Sequence, residues 1–246
     1  MELHYLFAFV MVAVGAAVSG MAAFGFSLVI VPPLLLVFDP ATVTTLVIVL
    51  TLVTRWLVLV DAWGAIRWRA VAVMAPTGFV GSFVGAWVLS ELDDSYIKLM
   101  ASAVVVVSAL LLLRGRSIPG AHASLSGPLA GFASGFLNTA TGMAGPPAVL
   151  LFSAREYATQ VFRGSLTAFF YLISMTGFLA LVNEHLVGRR ELTISMAMLP
   201  AALIGTWTGQ QLTRRISQAA FRRAVLILLI LTGIVGAVAA VQELTA

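Results

Sequence analysis

The chain has 246 residues, of which 61% are hydrophobic and 10% charged, and its mean hydropathy is +1.05. This excludes an ordinary soluble domain, whose surface needs roughly a quarter charged residues, and cysteine is absent, which excludes disulfides, thiolate metal sites and thiol catalysis. The formal charge of +4 comes from arginines scattered through short loops between apolar runs, so the positive charge reads as cytoplasmic-loop bias and no nucleic-acid partner is expected.

In chain order, apolar runs bounded by charge, Gly or Pro give ten helical segments. The first half holds A (residues 5–20), B (26–38), C (42–60), D (70–90) and E (96–113). The second holds F (124–137), G (142–153), H (162–182), I (192–212) and J (221–241). The start, MELHYLFAF, carries Glu2 and no Lys or Arg, unlike a signal peptide, so segment A is expected to stay in the mature protein. C, D, E, H, I and J have the ~20 residues that a crossing needs. B and G are too short, because about 12 residues of helix rise ~18 Å against a hydrocarbon core of ~30 Å. Short Gly- and Pro-marked segments at matching places of two halves are the mark of broken or re-entrant helices.

The halves also match in sequence. Pro76, Gly81 and Gly85 in PTGFVGSFVG recur 124 positions later as Pro200, Gly205 and Gly209 in PAALIGTWTG. Pro32 and Pro33 recur as Pro146 and Pro147, and the VLVDAWG around Asp61 is echoed by the ALVNEHLVG around Asn183. The expected architecture is an all-α polytopic membrane protein of two inverted five-segment repeats, residues 1–118 and 119–246, embedded in a lipid bilayer. If A+B and F+G are hairpins, Arg67, Arg69, Arg114, Arg116, Arg155, Arg163, Arg214, Arg215, Arg222 and Arg223 fall on one face. Most carboxylates then fall on the other, opposed only by Lys98, Arg189 and Arg190. By the positive-inside rule the arginine face is cytoplasmic and both termini face outside.

The chemistry is expected at the two breaks. The first runs from Ser19 to Ser27 and includes Gly25, Phe26 and Ser27. The second runs from Ser134 to Pro147 and includes Asn138, Thr139, Thr141, Gly142 and Met143. Non-helical backbone at membrane depth is tolerated only when buried in protein or lining a polar cavity. The N-termini of B and G would then offer free N–H groups and positive dipole ends to an anion, with Asn138, Thr139, Thr141 and Ser27 adding neutral donors.

At these residues the chain resembles the TauE/SafE family of sulfite exporters, also called the TSUP family. The resemblance rests on AFGFSLVIVPPLLL, SGFLNTATGMAGPPAVLLF and the arginine of TQVFRGSLTAFF, and it covers essentially the whole chain. Phe24-Gly25-Phe26 departs from the more consecutive glycines of many relatives. The resemblance implies export of sulfite or a small organosulfonate across the cytoplasmic membrane. Arg163, opening segment H, and Arg55, inside segment C, are the candidate charged contacts, since a guanidinium fork fits the oxygens of such an anion.

The remaining features narrow the field. None of the ten Asp and Glu residues falls inside a crossing segment, which disfavours proton coupling through a buried carboxylate; sodium sites built from backbone carbonyls at the breaks stay open. His4, His122 and His185 lie far apart at segment ends, so no metal site is expected. A membrane-embedded enzyme would need paired carboxylates, a His cluster or a nucleophile with its base, and the sequence offers none; no cofactor is expected. An importer or channel for small anions is the alternative. The Gly pairs of D and I, taken as lying on outer faces, lead to the expectation of a homodimer.

Overall fold

The computed structural model describes residues 2–22, 24–114, 123–155 and 157–212, and every α-helix or 3-10 turn among them accounts for an expected segment or its end. The helices are α1 (Glu2–Ala22), α2 (Phe26–Leu34), α3 (Pro40–Ala62), α4 (Trp68–Glu91), α5 (Asp94–Arg114), α6 (Ser126–Ala140), α7 (Gly145–Ala154), α8 (Thr159–Asn183) and α9 (Arg189–Leu212). They correspond to segments A to I. Segment J, Arg116, Arg214, Arg215, Arg222, Arg223 and the C-terminus lie outside the described residues.

α1, α4, α5, α8 and α9 are long and apolar enough to cross a bilayer. α3 has 23 residues, about 34 Å of helix, and carries Arg55 within this crossing length, with apolar residues on both sides of it.

Both breaks are narrower than expected. α1 continues to Ala22, and Gly25 caps α2 with a φ of 93°. α6 continues to Ala140, so Asn138 and Thr139 are helical, and the turn is confined to residues 141–144. The Leu137 carbonyl accepts from both Thr141 N–H (3.1 Å) and Met143 N–H (3.0 Å). Gly142, with a φ of 75°, makes that tight reversal without the steric cost a side chain would bring. The helices extend because backbone groups in apolar surroundings have to be paired, and each added residue pairs one more.

The pairs are hairpins. The Tyr5 ring lies 5.9 Å from the Phe38 ring, so the chain after α2 is back beside the start of α1. Arg155 Nη2 donates to Ser126 Oγ (3.3 Å), so the end of α7 is back beside the start of α6. The first hairpin opens at the end where Asp39 pairs with Arg190 (3.2 Å). The second opens at the end where Arg67 N–H donates to Ser165 Oγ (2.9 Å) and the Arg67 guanidinium lies 5.4 Å from the Tyr157 ring centre.

Small residues set the helix pairing. A methyl group on Gly81 or Gly85 of α4 would strike the carbonyls of Phe132 or Phe136 on α6, and one on Gly205 or Gly209 of α9 would strike those of Ala13 or Ala17 on α1. The partners Ala13 and Phe132 are 119 positions apart, as are Ala17 and Phe136, so α9 rests on α1 as α4 rests on α6. Such close approach maximises dispersion where lipid offers no hydrophobic drive. These glycines are buried within one chain and therefore give no support to a dimer. The paired prolines do not correspond: Pro32 and Pro33 sit near the end of α2, whereas Pro146 and Pro147 sit at the start of α7.

Candidate functional site: a cavity where the two helix breaks meet

The two breaks, α3 and α8 enclose a cavity of about 30 Å³. The first break contributes Phe24, Gly25, Phe26 and Ser27, and the second Asn138, Gly142, Ala144 and Gly145. From α3 come Val47, Thr51 and Arg55, four residues apart and so on one face; from α8 come Phe170 and Ser174, again four apart. The space suits one or two waters. A four-atom oxyanion needs more room than that.

Arg55 is the charge of the cavity. It is 8% exposed, its Nη2 donates to Ser19 Oγ at 2.9 Å, and its guanidinium lies 5.7 Å from the Phe170 ring centre. A buried guanidinium is costly, and both contacts reduce that cost while holding its fork in place.

Around Arg55 the polar atoms are mostly donors. The N-cap Gly25 offers no side chain, so the first N–H groups of α2, those of Phe26 and Ser27, have no partner among the described residues. The N–H groups of Gly142, Ala144 and Gly145 have none either. Asn138 Nδ2 donates to the Ile173 carbonyl (3.2 Å), which leaves its second N–H. Ser174 is 1% exposed and its hydroxyl takes no partner among the described residues. No Asp or Glu appears in the lining. Several backbone N–H donors around one positive charge, with no carboxylate among the described lining residues, favour an anion over a cation.

The two helix ends are unequal. At α7 the prolines remove two N–H groups, and Ser134 Oγ accepts from Ala148 N–H (3.1 Å), so the first turn keeps only Gly145. At α2 the first turn is uncapped. The expectation of two matched helix ends therefore holds in position and not in donor supply.

Of the sequence candidates, Gly25, Phe26, Ser27, Arg55, Asn138 and Gly142 come together here. Thr139 does not: its hydroxyl donates to the Ser82 carbonyl of α4 (2.7 Å). Thr141 donates to the Leu137 carbonyl (2.9 Å), and Met143 is fully buried in the apolar core with α2 and α3 residues. Arg163 faces a separate small cavity. Ser174, Phe170 and Thr51 were not foreseen, although the four-residue spacing of Thr51 and Arg55 shows in the sequence; Ser19, the start of the first break, reaches the site only through Arg55. Gly177 was also missed; a methyl there would come within 2.7 Å of Asn138 Nδ2. A much larger groove, about 670 Å³, lies between α5, α6 and α7. Its lining is almost wholly apolar, and Ser108 there is bonded to the Val104 carbonyl, so it does not suit an anion. Among the described residues no group of His, Asp and Glu could hold a metal ion.

Comparison with known proteins adds three findings. A family model described as "Sulfite exporter TauE/SafE" matches residues 7–236. A protein of Comamonas testosteroni named "Probable inner membrane transporter protein TsaS" is 27% identical over 176 residues, covering 69% of this chain and 72% of that one. No solved structure matches.

Proposed function

We propose, for a chain that belongs to the TauE/SafE sulfite exporter family, that it exports sulfite or a small organosulfonate, with the anion held in the cavity between the helix breaks. The chain is a membrane transporter and not an enzyme. The observation that carries the proposal is the lining: one buried guanidinium, an uncapped helix N-terminus, an amide and hydroxyls, with no carboxylate. The name of the relative supports placement in an inner membrane.

Alternating access fits the placement of the hairpins. The hairpins open at opposite ends of the molecule, and the exchange of partners between α4–α6 and α1–α9 supports two inverted halves rocking about the small-residue contacts. The arginine-rich end is the cytoplasmic one on this reading, and the amino terminus lies outside.

The test is uptake of radiolabelled sulfite and of taurine as an organosulfonate probe into proteoliposomes holding the purified chain. Saturable flux of either supports transport, and its dependence on an imposed gradient reads direction. Absence of flux with both, from protein that still melts cooperatively, sinks the proposal.

A further inference from the structure

We propose that the substrate is an organosulfonate with an apolar tail: its head sits in the break cavity, and its tail runs past Phe24 and Gly145 into the apolar groove between α5, α6 and α7. This rests on the reading of the break cavity as the anion site and names the substrate class within it. Three spaces lie in a row. A small one of about 10 Å³ shares Phe24 and Gly145 with the break cavity. The same small space shares Ser108, Leu111, Pro146 and Leu150 with the groove of about 670 Å³. Among the described residues, Phe24 is the only one whose side chain stands between the first two spaces, because Gly145 has none.

The fold does not require a glycine at 145. Its backbone is not left-handed, unlike that of Gly25 and Gly142. A methyl there would meet no described residue within 4 Å, whereas one on Gly81 or Gly205 would strike a carbonyl of the neighbouring helix. Conformational freedom and close helix approach, the two usual reasons for a membrane glycine, are both absent. Open space in front of a missing side chain, at the wall between two cavities, is what a passing chain of carbon atoms needs. Phe24 lies between the end of α1 and the start of α2, outside both, so turning its ring aside joins the spaces without breaking a helix.

The two ends of this path suit the two ends of such a molecule. Donors converge on the break cavity, whereas the wall beyond is hydrocarbon. Pro146 and Pro147 line the groove and have no N–H, and the Ser108 hydroxyl donates to the Val104 carbonyl of its own helix. The prolines that deprive α7 of donors therefore also give the tail an apolar wall. In a sulfonate three oxygens share the charge and the fourth substituent of sulfur is carbon. With the oxygens toward Arg55, Asn138 and the start of α2, the carbon is left to the Phe24 and Gly145 side. Sulfite has a lone pair in that place and leaves the path unused. Each methylene that leaves water for the apolar path strengthens binding by up to about fourfold.

The test is calorimetry of the full chain in lipid nanodiscs with sulfite, methanesulfonate, propanesulfonate and pentanesulfonate. Affinity should rise with each added methylene, and pentanesulfonate should bind more tightly than sulfite. Ser108→Phe narrows the small space from α5 and should cut the ratio of pentanesulfonate to methanesulfonate affinity by about tenfold or more; Ser108→Ala keeps the space and should keep the ratio. Where Ser108→Phe does not melt cooperatively, Leu150→Phe narrows the same space from α7 and gives the same reading. Sulfite and methanesulfonate binding with no gain along the series overturns the tail path and leaves the break-cavity reading standing. A gain that neither phenylalanine variant reduces overturns it too, because the tail then lies in lipid or elsewhere in the chain. If no sulfonate binds and sulfite does not either, the break-cavity reading fails as well.

Discussion

The two helix breaks occupy comparable places and turn through the same left-handed glycine, yet they supply different things. At the first, Gly25 leaves the start of α2 uncapped. At the second, Pro146, Pro147 and Ser134 leave α7 a single N–H in its first turn, while Asn138 reaches the cavity from the last turn of α6. The first break therefore offers helix dipole and backbone donors, and the second offers a side chain and turn amides. Two halves built alike need not contribute alike, and the charge that joins them, Arg55, belongs to neither break.

The comparison makes graded predictions. The largest effect belongs to Arg55→Gln, which removes the only charge among the described residues lining the cavity. A charge-assisted contact is worth about 1.5–3 kcal/mol, so sulfite affinity measured by calorimetry should fall roughly tenfold to a hundredfold. An unchanged affinity would mean the backbone donors act alone.

Next come the glycines at the turns. A methyl at Gly25 or Gly142 meets nothing closer than 3.4 Å, so the cost of alanine is conformational. Each substitution should lower stability by about 1–2 kcal/mol, read as a melting shift. A clearly smaller loss at one of them would show that its turn is not held in the left-handed form.

Side chains of the second break come third. Asn138→Leu should weaken sulfite binding by about 1 kcal/mol, since a neutral donor is lost while the backbone groups stay. Gly177→Ala should weaken it through the same residue by displacing the amide. Ser134→Ala should cost about 1 kcal/mol of stability through the lost cap and leave affinity unchanged. If Ser134→Ala instead weakens binding, the asymmetry between the breaks is misassigned.

The smallest effect lies at the hairpin mouth. Burial by itself raises the Asp39 pKa, but the hydrogen bonds from Thr42 N–H and hydroxyl, both 2.8 Å, and the nearby Arg190 outweigh it and hold the carboxyl below its ordinary value of 3.8. The folded pKa is thus depressed, and the stabilisation is present above 3.8 and lost as pH falls through the lower folded value. The melting gap between wild type and Asp39→Asn should stay constant near neutral pH and close in stronger acid. A gap that persists there would assign the effect to packing.

Much of this was legible in the sequence. The nine described helices follow hydrophobic runs, and Gly25 and Gly142 sit in the two stretches marked by Gly, Pro and small polar residues. The exact breaks were not legible. Whether Asn138 and Thr139 are helical depends on the Leu137 carbonyl finding both Thr141 and Met143, a local helix end that Gly142 makes possible but whose register the apolar pattern does not mark. The paired prolines misled, because a dipeptide match 114 positions apart carries no information on helix register. Arg163 was drawn into the site by its nearness to the second break in sequence, whereas α8 carries it to the far side of Arg55. The Gly pairs were read as outer faces because hydropathy cannot tell lipid from a neighbouring helix.

The central claim is that the anion rests among Arg55, Asn138 and the start of α2. The most direct measurement is anomalous diffraction from crystals of the chain soaked in selenite, a heavier analogue of sulfite. The account predicts a selenium peak in the break cavity within hydrogen-bonding reach of the Arg55 guanidinium and the α2 N–H groups. A peak only beside Arg163, or only in the apolar groove between α5, α6 and α7, would contradict it.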